Sequence, residues 1–207
     1  IGVRLVGSEM CIRDRNRTPQ QNPQTMPGMN QQQDSRTPGN PYGVTTNKFW
    51  NFIPAAGDKP PELLLYGAIS SQQSWWEDRV TPQQFNQELA ALGDVPEIIV
   101  RINSGGGDVF AANAIFTRLK DCSAKVIVKI DGWAASAATI IAMAGDTIKI
   151  ARNGVFMIHD PAMTVWDTFR AEDFLKMADE LKVIKQSIVN TYASKTGKKT
   201  EDIEQLM

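Results

Sequence analysis

The sequence predicts an α/β fold with parallel strands, and two patterns carry the prediction. Three apolar runs of strand length each end in small or polar residues that carry chemistry: Ile98–Ile102 before Asn103–Asp108, Lys125–Ile130 before Asp131–Ala138, and Val155–Ile158 before His159. Between and after them lie stretches whose apolar residues recur with the helical period. Strands that alternate with helices are the mark of a parallel sheet with crossover connections.

Order is expected to begin at Lys48-Phe49-Trp50-Asn51-Phe52-Ile53. Leu63–Tyr66 reads as a short strand closed by Gly67. Thr81-Pro82 has the form of a helix start, with Thr as N-cap and Pro in the first turn, and Phe85, Leu89 and Leu92 share one face. Trp75 and Trp76, just before it, read as core or subunit contact. After the Ile98–Ile102 strand, Asp108 is placed to cap a helix in which Ala112, Ile115, Phe116 and Leu119 recur at i, i+3, i+4 and i+7. Thr139–Ala144 reads as a short helix, and Thr147–Ala151 and Val155–Ile158 as strands. From Ala171 to about Tyr192 a long amphipathic helix carries Phe174, Met177, Ala178, Leu181, Ile184 and Ile188 as one apolar stripe. Gly197 ends it, and Thr200-Glu201-Asp202-Ile203 starts another.

The preceding residues read differently. Residues 1–15, ending Ser8–Arg15, resemble translated adapter read-through rather than part of a fold, and Cys11 goes with them. Residues 16–46 are rich in Gln, Asn, Pro, Thr and Gly, with almost no bulky apolar side chains. Such a segment buries too little surface to offset its chain entropy and is expected to be disordered. The folded domain is therefore expected over 47–207.

A formal net charge of −1 over 207 residues argues against nucleic-acid or anionic-membrane binding. The longest apolar stretch, Trp133–Gly145, is too short and interrupted to span a bilayer, and no signal peptide is evident. Cys11 and Cys122 form neither a metal spacing nor a disulfide framework, so no metal or other cofactor is expected and a cytoplasmic setting is.

The candidate chemistry sits at the strand ends. Ser136, between an apolar strand and a helix, lies where backbone N–H groups lack intrahelical partners, as an acyl-transfer nucleophile requires. Its small neighbours let a substrate backbone approach, although they also suit plain helix–sheet packing. Ser104-Gly105-Gly106-Gly107 offers bare N–H groups, either to a ligand or simply as a tight turn. No Gly-Lys-Ser/Thr follows and no G-x-G-x-x-G spacing is present, so a phosphate loop is poorly supported. His159, the chain's one histidine, ends an apolar strand before Pro161, where an exposed imidazole would serve as a general base.

Three segments, Ile102-Asn103-Ser104-Gly105-Gly106-Gly107, Gly132-Trp133-Ala134-Ala135-Ser136-Ala137 and Met157-Ile158-His159-Asp160-Pro161, resemble in order and spacing the Clp protease proteolytic-subunit family. The start Phe49-Trp50-Asn51-Phe52, Ser74-Trp75-Trp76 and Met143-Ala144-Gly145-Asp146 look more like its phage branch, the head maturation proteases. Gly105 stands where housekeeping members usually have Pro, which points the same way. The resemblance implies a crotonase-like fold of stacked ββα units and a serine endopeptidase without cofactor. Ser136 would be its nucleophile and His159 its general base, with the backbone N–H groups of Gly106 and Ala137 as the oxyanion hole. The helix from Ala171 would match the handle that joins two rings, heptameric and stacked in one arrangement. The triad acid, which in the family follows the helix where this chain stops, has no match; Asp160, Asp167, Asp202 and Glu204 are poor substitutes, and a C-terminally truncated protease is expected.

These resemblances imply protein substrates: capsid, portal or scaffold proteins during phage or prophage head assembly, in the bacterial cytoplasm and at the prohead. The alternatives are a housekeeping subunit fed by an ATP-dependent unfoldase, an acyl-CoA enzyme of the same fold, and a non-catalytic structural subunit.

Overall fold

The computed structural model describes residues 48–70 and 82–207. The expectations for residues 1–46, for Trp75 and Trp76 and for Thr81 lie outside them. The elements are β1 (Trp50–Ile53), β2 (Glu62–Ile69), α1 (Pro82–Ala90), β3 (Glu97–Gly107), α2 (Val109–Lys120), β4 (Lys125–Ala135), α3 (Ala137–Ala142), β5 (Thr147–Ile150), β6 (Val155–Met157), α4 (Ala171–Thr196) and α5 (Thr200–Glu204). The sheet order is β1-β2-β3-β4-β5, with β6 also on β4. All pairings are parallel except β1 with β2.

Alternation along the strands sorts residues between two faces. Leu63 and Leu65 of β2, Ile98, Val100 and Ile102 of β3, and Val126, Val128 and Ile130 of β4 are buried on one face, under the helices. The other face carries Arg101 and Asp131, which form a two-pronged ion pair (Nε to Oδ2 2.8 Å, Nη2 to Oδ1 2.7 Å), and the Tyr66 hydroxyl donates to Asp131 Oδ2 at 2.6 Å. Trp50 closes the β1 edge, edge-on to Phe49 and Phe85. Asp108 caps α2 as its position predicts, accepting from Phe110 N–H at 2.7 Å and Ala111 N–H at 3.0 Å.

The structure lengthens two expected strands. β3 continues through Gly105–Gly107 instead of turning at them, because those residues still have a neighbour: Ala68 and Ile69 of β2 pair with Gly106 and Gly107. β4 likewise runs on through Asp131–Ala135, since β6 takes over its edge where β5 ends. The expected stripe of α4 is seen only in part. Its buried residues are Ile188, Val189 and Tyr192, near the C-terminal end. Of the stripe, Phe174 is 57% exposed and Ala178 is exposed, while Met177, Leu181 and Ile184 are partly buried, so it is open at its start and closes toward Ile188. Periodicity specifies which side of a helix is apolar, not what covers it. Gly197 ends the helix in a left-handed conformation (φ 69°), as expected.

Candidate active site

Ser136 lies in the one-residue gap between β4 and α3. Its φ of 54° and ψ of −129° make it the sole non-glycine residue with positive φ among those described. For a residue with a Cβ this conformation costs on the order of 1–3 kcal/mol, and it persists only where the surroundings over-determine it. Sharp strand-to-helix turns of this kind project a side chain out of the sheet, as a nucleophile must be. The serine is half-buried while its neighbours Ala134, Ala135, Ala137 and Ala138 are buried.

Gly106 presses against this turn. A Cβ on it would stand 2.5 Å from Ala135 O, 2.7 Å from Ser136 Cβ and 2.8 Å from Ala137 N, and its φ of 91° excludes other residues independently. Glycine is thus obligatory here, because the backbone of β3 passes within contact of the serine. Ala137 N–H, in the first turn of α3, lacks an intrahelical partner. Gly106 N–H donates to Ser104 Oγ at 3.1 Å, and Ser104 Oγ donates to the Gly67 carbonyl. The Gly106 N–H is therefore engaged in this structure and would have to exchange that bond to meet a substrate.

His159 reaches the same place by register. Trp133, Ala134 and Ala135 of β4 pair with Val155, Phe156 and Met157 of β6, and Ser136 N–H donates to Met157 O at 2.9 Å. Ser136 directly follows β4, and His159 stands two residues past the end of β6, which stops at Met157 rather than at the expected Ile158; neighbouring parallel strands lie about 4.8 Å apart. His159 is exposed and has no hydrogen bond or ion pair among the described residues. Of the four carboxylates near in sequence or at the chain end, Asp160 binds Lys185 Nζ at 2.7 Å and Asp167 accepts from Thr168 N–H at 2.7 Å. Asp202 and Glu204 are exposed on α5.

Two further side chains at the site escaped sequence reasoning. Thr139, fully buried, donates through Oγ1 to the Ser136 carbonyl, and its Oγ1 lies 2.5 Å from the Tyr192 hydroxyl of α4. Burial pushes the Tyr192 phenol up to about 12. No local pattern joins residues 53 positions apart. A groove of about 740 Å³ lined by Phe116, Met143, Val183 and Lys195 lies between α2, the end of α3 and α4, and takes in neither Ser136 nor His159.

The Clp protease family model matches residues 73–207. The chain belongs to the Clp protease family. An ATP-dependent Clp protease proteolytic subunit of Lobularia maritima is 32% identical over 177 residues, covering 79% of this chain and 88% of that protein. Its counterpart in Oryza sativa subsp. japonica is 32% identical over 122 residues, 56% of each chain. Proteolytic subunit 3 of Rhodococcus jostii (strain RHA1) is 31% identical over 118 residues, 56% of this chain and 57% of that one. The chain thus spans little more than half the length of most of these curated relatives. A solved structure of a mutant ClpP1 from Listeria monocytogenes superposes with a TM-score of 0.57 at 26% identity, covering 70% of this chain and 77% of that one. The mixed sheet and helical layer are accordingly those of the Clp protease, crotonase-like fold.

Proposed function

We propose that this Clp family chain is a serine endopeptidase in which Ser136 attacks the scissile carbonyl and His159 Nε2 or Nδ1 takes its proton. The observation that carries the reading is the strained Ser136 itself. Its backbone is held at φ 54°, against Gly106, with its N–H bonded to the strand that delivers His159. Strain of this kind clusters at sites where a side chain must be presented. In the proposed reaction the serine Oγ forms the new bond to the carbonyl carbon. The imidazole receives the Oγ proton and returns it to the leaving amine, and water then repeats the sequence to release the acyl group. Ala137 N–H faces the developing oxyanion from the start of α3. Gly106 N–H joins it by giving up Ser104 Oγ, or leaves Ala137 as the main donor. Removing a single oxyanion donor typically costs 10²- to 10³-fold in kcat.

Two biological settings are compatible with this chemistry. The relatives, which are ATP-dependent Clp protease proteolytic subunits, favour a housekeeping subunit of that kind. The packing of Gly105 favours the branch specialised for phage capsid, portal or scaffold proteins. A Cβ at 105 would stand 2.8 Å from Trp133 Cη2, so a proline of the housekeeping kind would require this chain's own indole to move aside. Ring assembly is supported by the exposed apolar side chains Phe174, Leu175 and Val183 on the N-terminal half of α4.

The test is covalent labelling of the 207-residue chain with a fluorophosphonate, followed by peptide mapping. Label on Ser136 in the wild type and none in Ser136→Ala supports the reading. Label elsewhere, or none, overturns it.

A further inference from the structure

We infer that Tyr192 is a positioning residue for the nucleophile: through Thr139 it holds the Ser136 carbonyl, and with it the strained backbone that presents the serine hydroxyl. The inference rests on Ser136 being the nucleophile and adds the device that keeps it in place.

Counting protons fixes the direction of the relay. The Ser136 carbonyl can only accept, so Thr139 Oγ1 spends its single proton on it. The Tyr192 hydroxyl, 2.5 Å from Thr139 Oγ1, is then the donor in that contact. The chain reads Tyr192 O–H to Thr139 Oγ1, Thr139 O–H to Ser136 C=O. Thr139 N–H adds a second bond to the same carbonyl at 2.9 Å. Both side chains are sealed from water, Thr139 at 0% and Tyr192 at 4% exposure, so neither hydroxyl finds a solvent substitute. Hydrogen bonds in series polarise one another, which strengthens the grip on the carbonyl.

The relay has a reason to exist. On its N-terminal side Ser136 is fastened to Met157 O by its own N–H, and on one flank Gly106 blocks it. Its carbonyl is the remaining handle by which ψ can be set. A ψ of −129° beside a φ of 54° has no intrinsic preference in a serine, so what holds the carbonyl sets the direction of Cα–Cβ. Tyr192 anchors that handle to α4 in the part of the helix that is buried beside Ile188 and Val189.

The experiment compares fluorophosphonate labelling rates of Ser136, and kcat and KM for a peptide, in the full 207-residue chain. Tyr192→Phe removes one oxygen and keeps the ring. Its labelling rate and kcat are expected to fall roughly tenfold with KM unchanged, the consequence of one lost buried hydrogen bond acting on the reacting group. Thr139→Val should lose as much or more, and Thr139→Ser, which keeps the hydroxyl, should restore most of the rate lost in Thr139→Val. The Tyr192→Phe, Thr139→Val double variant should be no worse than Thr139→Val alone, because the two act in series. The two ends of the relay are read separately, so if Tyr192→Phe does not fold the Thr139 pair decides. Equal labelling rates for wild type and Tyr192→Phe well below Tm, or a Thr139→Ser no better than Thr139→Val, overturn the relay alone. A wild type not labelled at Ser136 overturns the nucleophile and the relay together.

Discussion

Lys185 of α4 grips Asp160, the residue that follows His159, with Nζ 2.7 Å from Oδ1. Two turns further along the same helix Tyr192 meets Thr139, which holds the carbonyl of Ser136. Residues 185 and 192 are seven apart and share a helix face. One rigid helix thereby touches the segment of each proposed reacting side chain.

The pair Lys185–Asp160 should matter more to turnover than to stability. The side chains are 30% and 56% exposed, and pairs so placed contribute about 0–1 kcal/mol. Lys185→Ala is expected to shift Tm by no more than a few degrees while lowering peptide turnover several-fold. Raised salt should reproduce part of that loss in the wild type by screening the pair. Exchanging the charges, Lys185→Asp with Asp160→Lys, should recover part of the rate. Turnover of Lys185→Ala equal to wild type at low salt would show that Asp160 needs no partner.

The glycines of β3 should answer substitution very differently. Gly105→Ala puts a methyl against an indole that is 47% exposed and can swing away. Its cost should be roughly 1 kcal/mol, and Trp133→Ala should relieve it, giving a double variant more stable than additivity requires. Gly106→Ala meets backbone on two sides, Ala135 O and Ala137 N, at a φ of 91°. It should abolish labelling of Ser136. Thermal melts and labelling of the two single variants separate the cases, and equal tolerance at both positions would contradict the packing described.

Strain at Ser136 should be visible as stability withheld. Ser136→Ala and Ser136→Gly both remove the hydroxyl, but alanine still pays for φ 54° and glycine does not. Ser136→Gly is expected to be about 1 kcal/mol more stable than Ser136→Ala, worth about 2–4 °C in Tm for a chain of this size. Both should be inactive. A Ser136→Gly that melts below Ser136→Ala would mean that the turn is not strained in solution.

What could be read from the sequence was what local physics controls. Asp108 as a cap, the strand ahead of Ser136, a strand shortly before His159 and the stop at Gly197 all follow from propensities within a few residues. What could not be read depended on distant partners. Gly105–Gly107 look like a turn until β2 lies alongside. Nothing near Val155 says that β6 returns to β4, yet that pairing is what brings the ends at Ser136 and His159 together. Thr139 and Tyr192 each read as ordinary helix residues, because a hydroxyl's role is set by the partner it meets. The apolar stripe of α4 was legible as a pattern, whereas the exposure of Phe174 at its start was not.

Tyr192 supplies a test in bulk solution. Its phenol is raised from the ordinary 10 to about 12, chiefly because burial penalises the phenolate. In the unfolded chain the same group ionises near pH 10. Between pH 10 and 12 the unfolded state therefore sheds a proton that the folded state keeps, and the folded state loses ground as pH rises. The stabilisation is complete below pH 10 and falls away up to pH 12, by about 2–3 kcal/mol across two pKa units. Tyr66 is raised as well, by its own burial and by Asp131, so the wild type alone does not isolate the effect. The difference between wild type and Tyr192→Phe does. Urea midpoints should be nearly independent of pH between 8 and 9.5 for that difference. They should then converge as pH climbs through 10 to 12, because only the wild type has the proton to lose. A wild type and Tyr192→Phe whose midpoints fall in parallel over this range would mean that the Tyr192 hydroxyl reaches water, and would remove the sealed relay to Ser136.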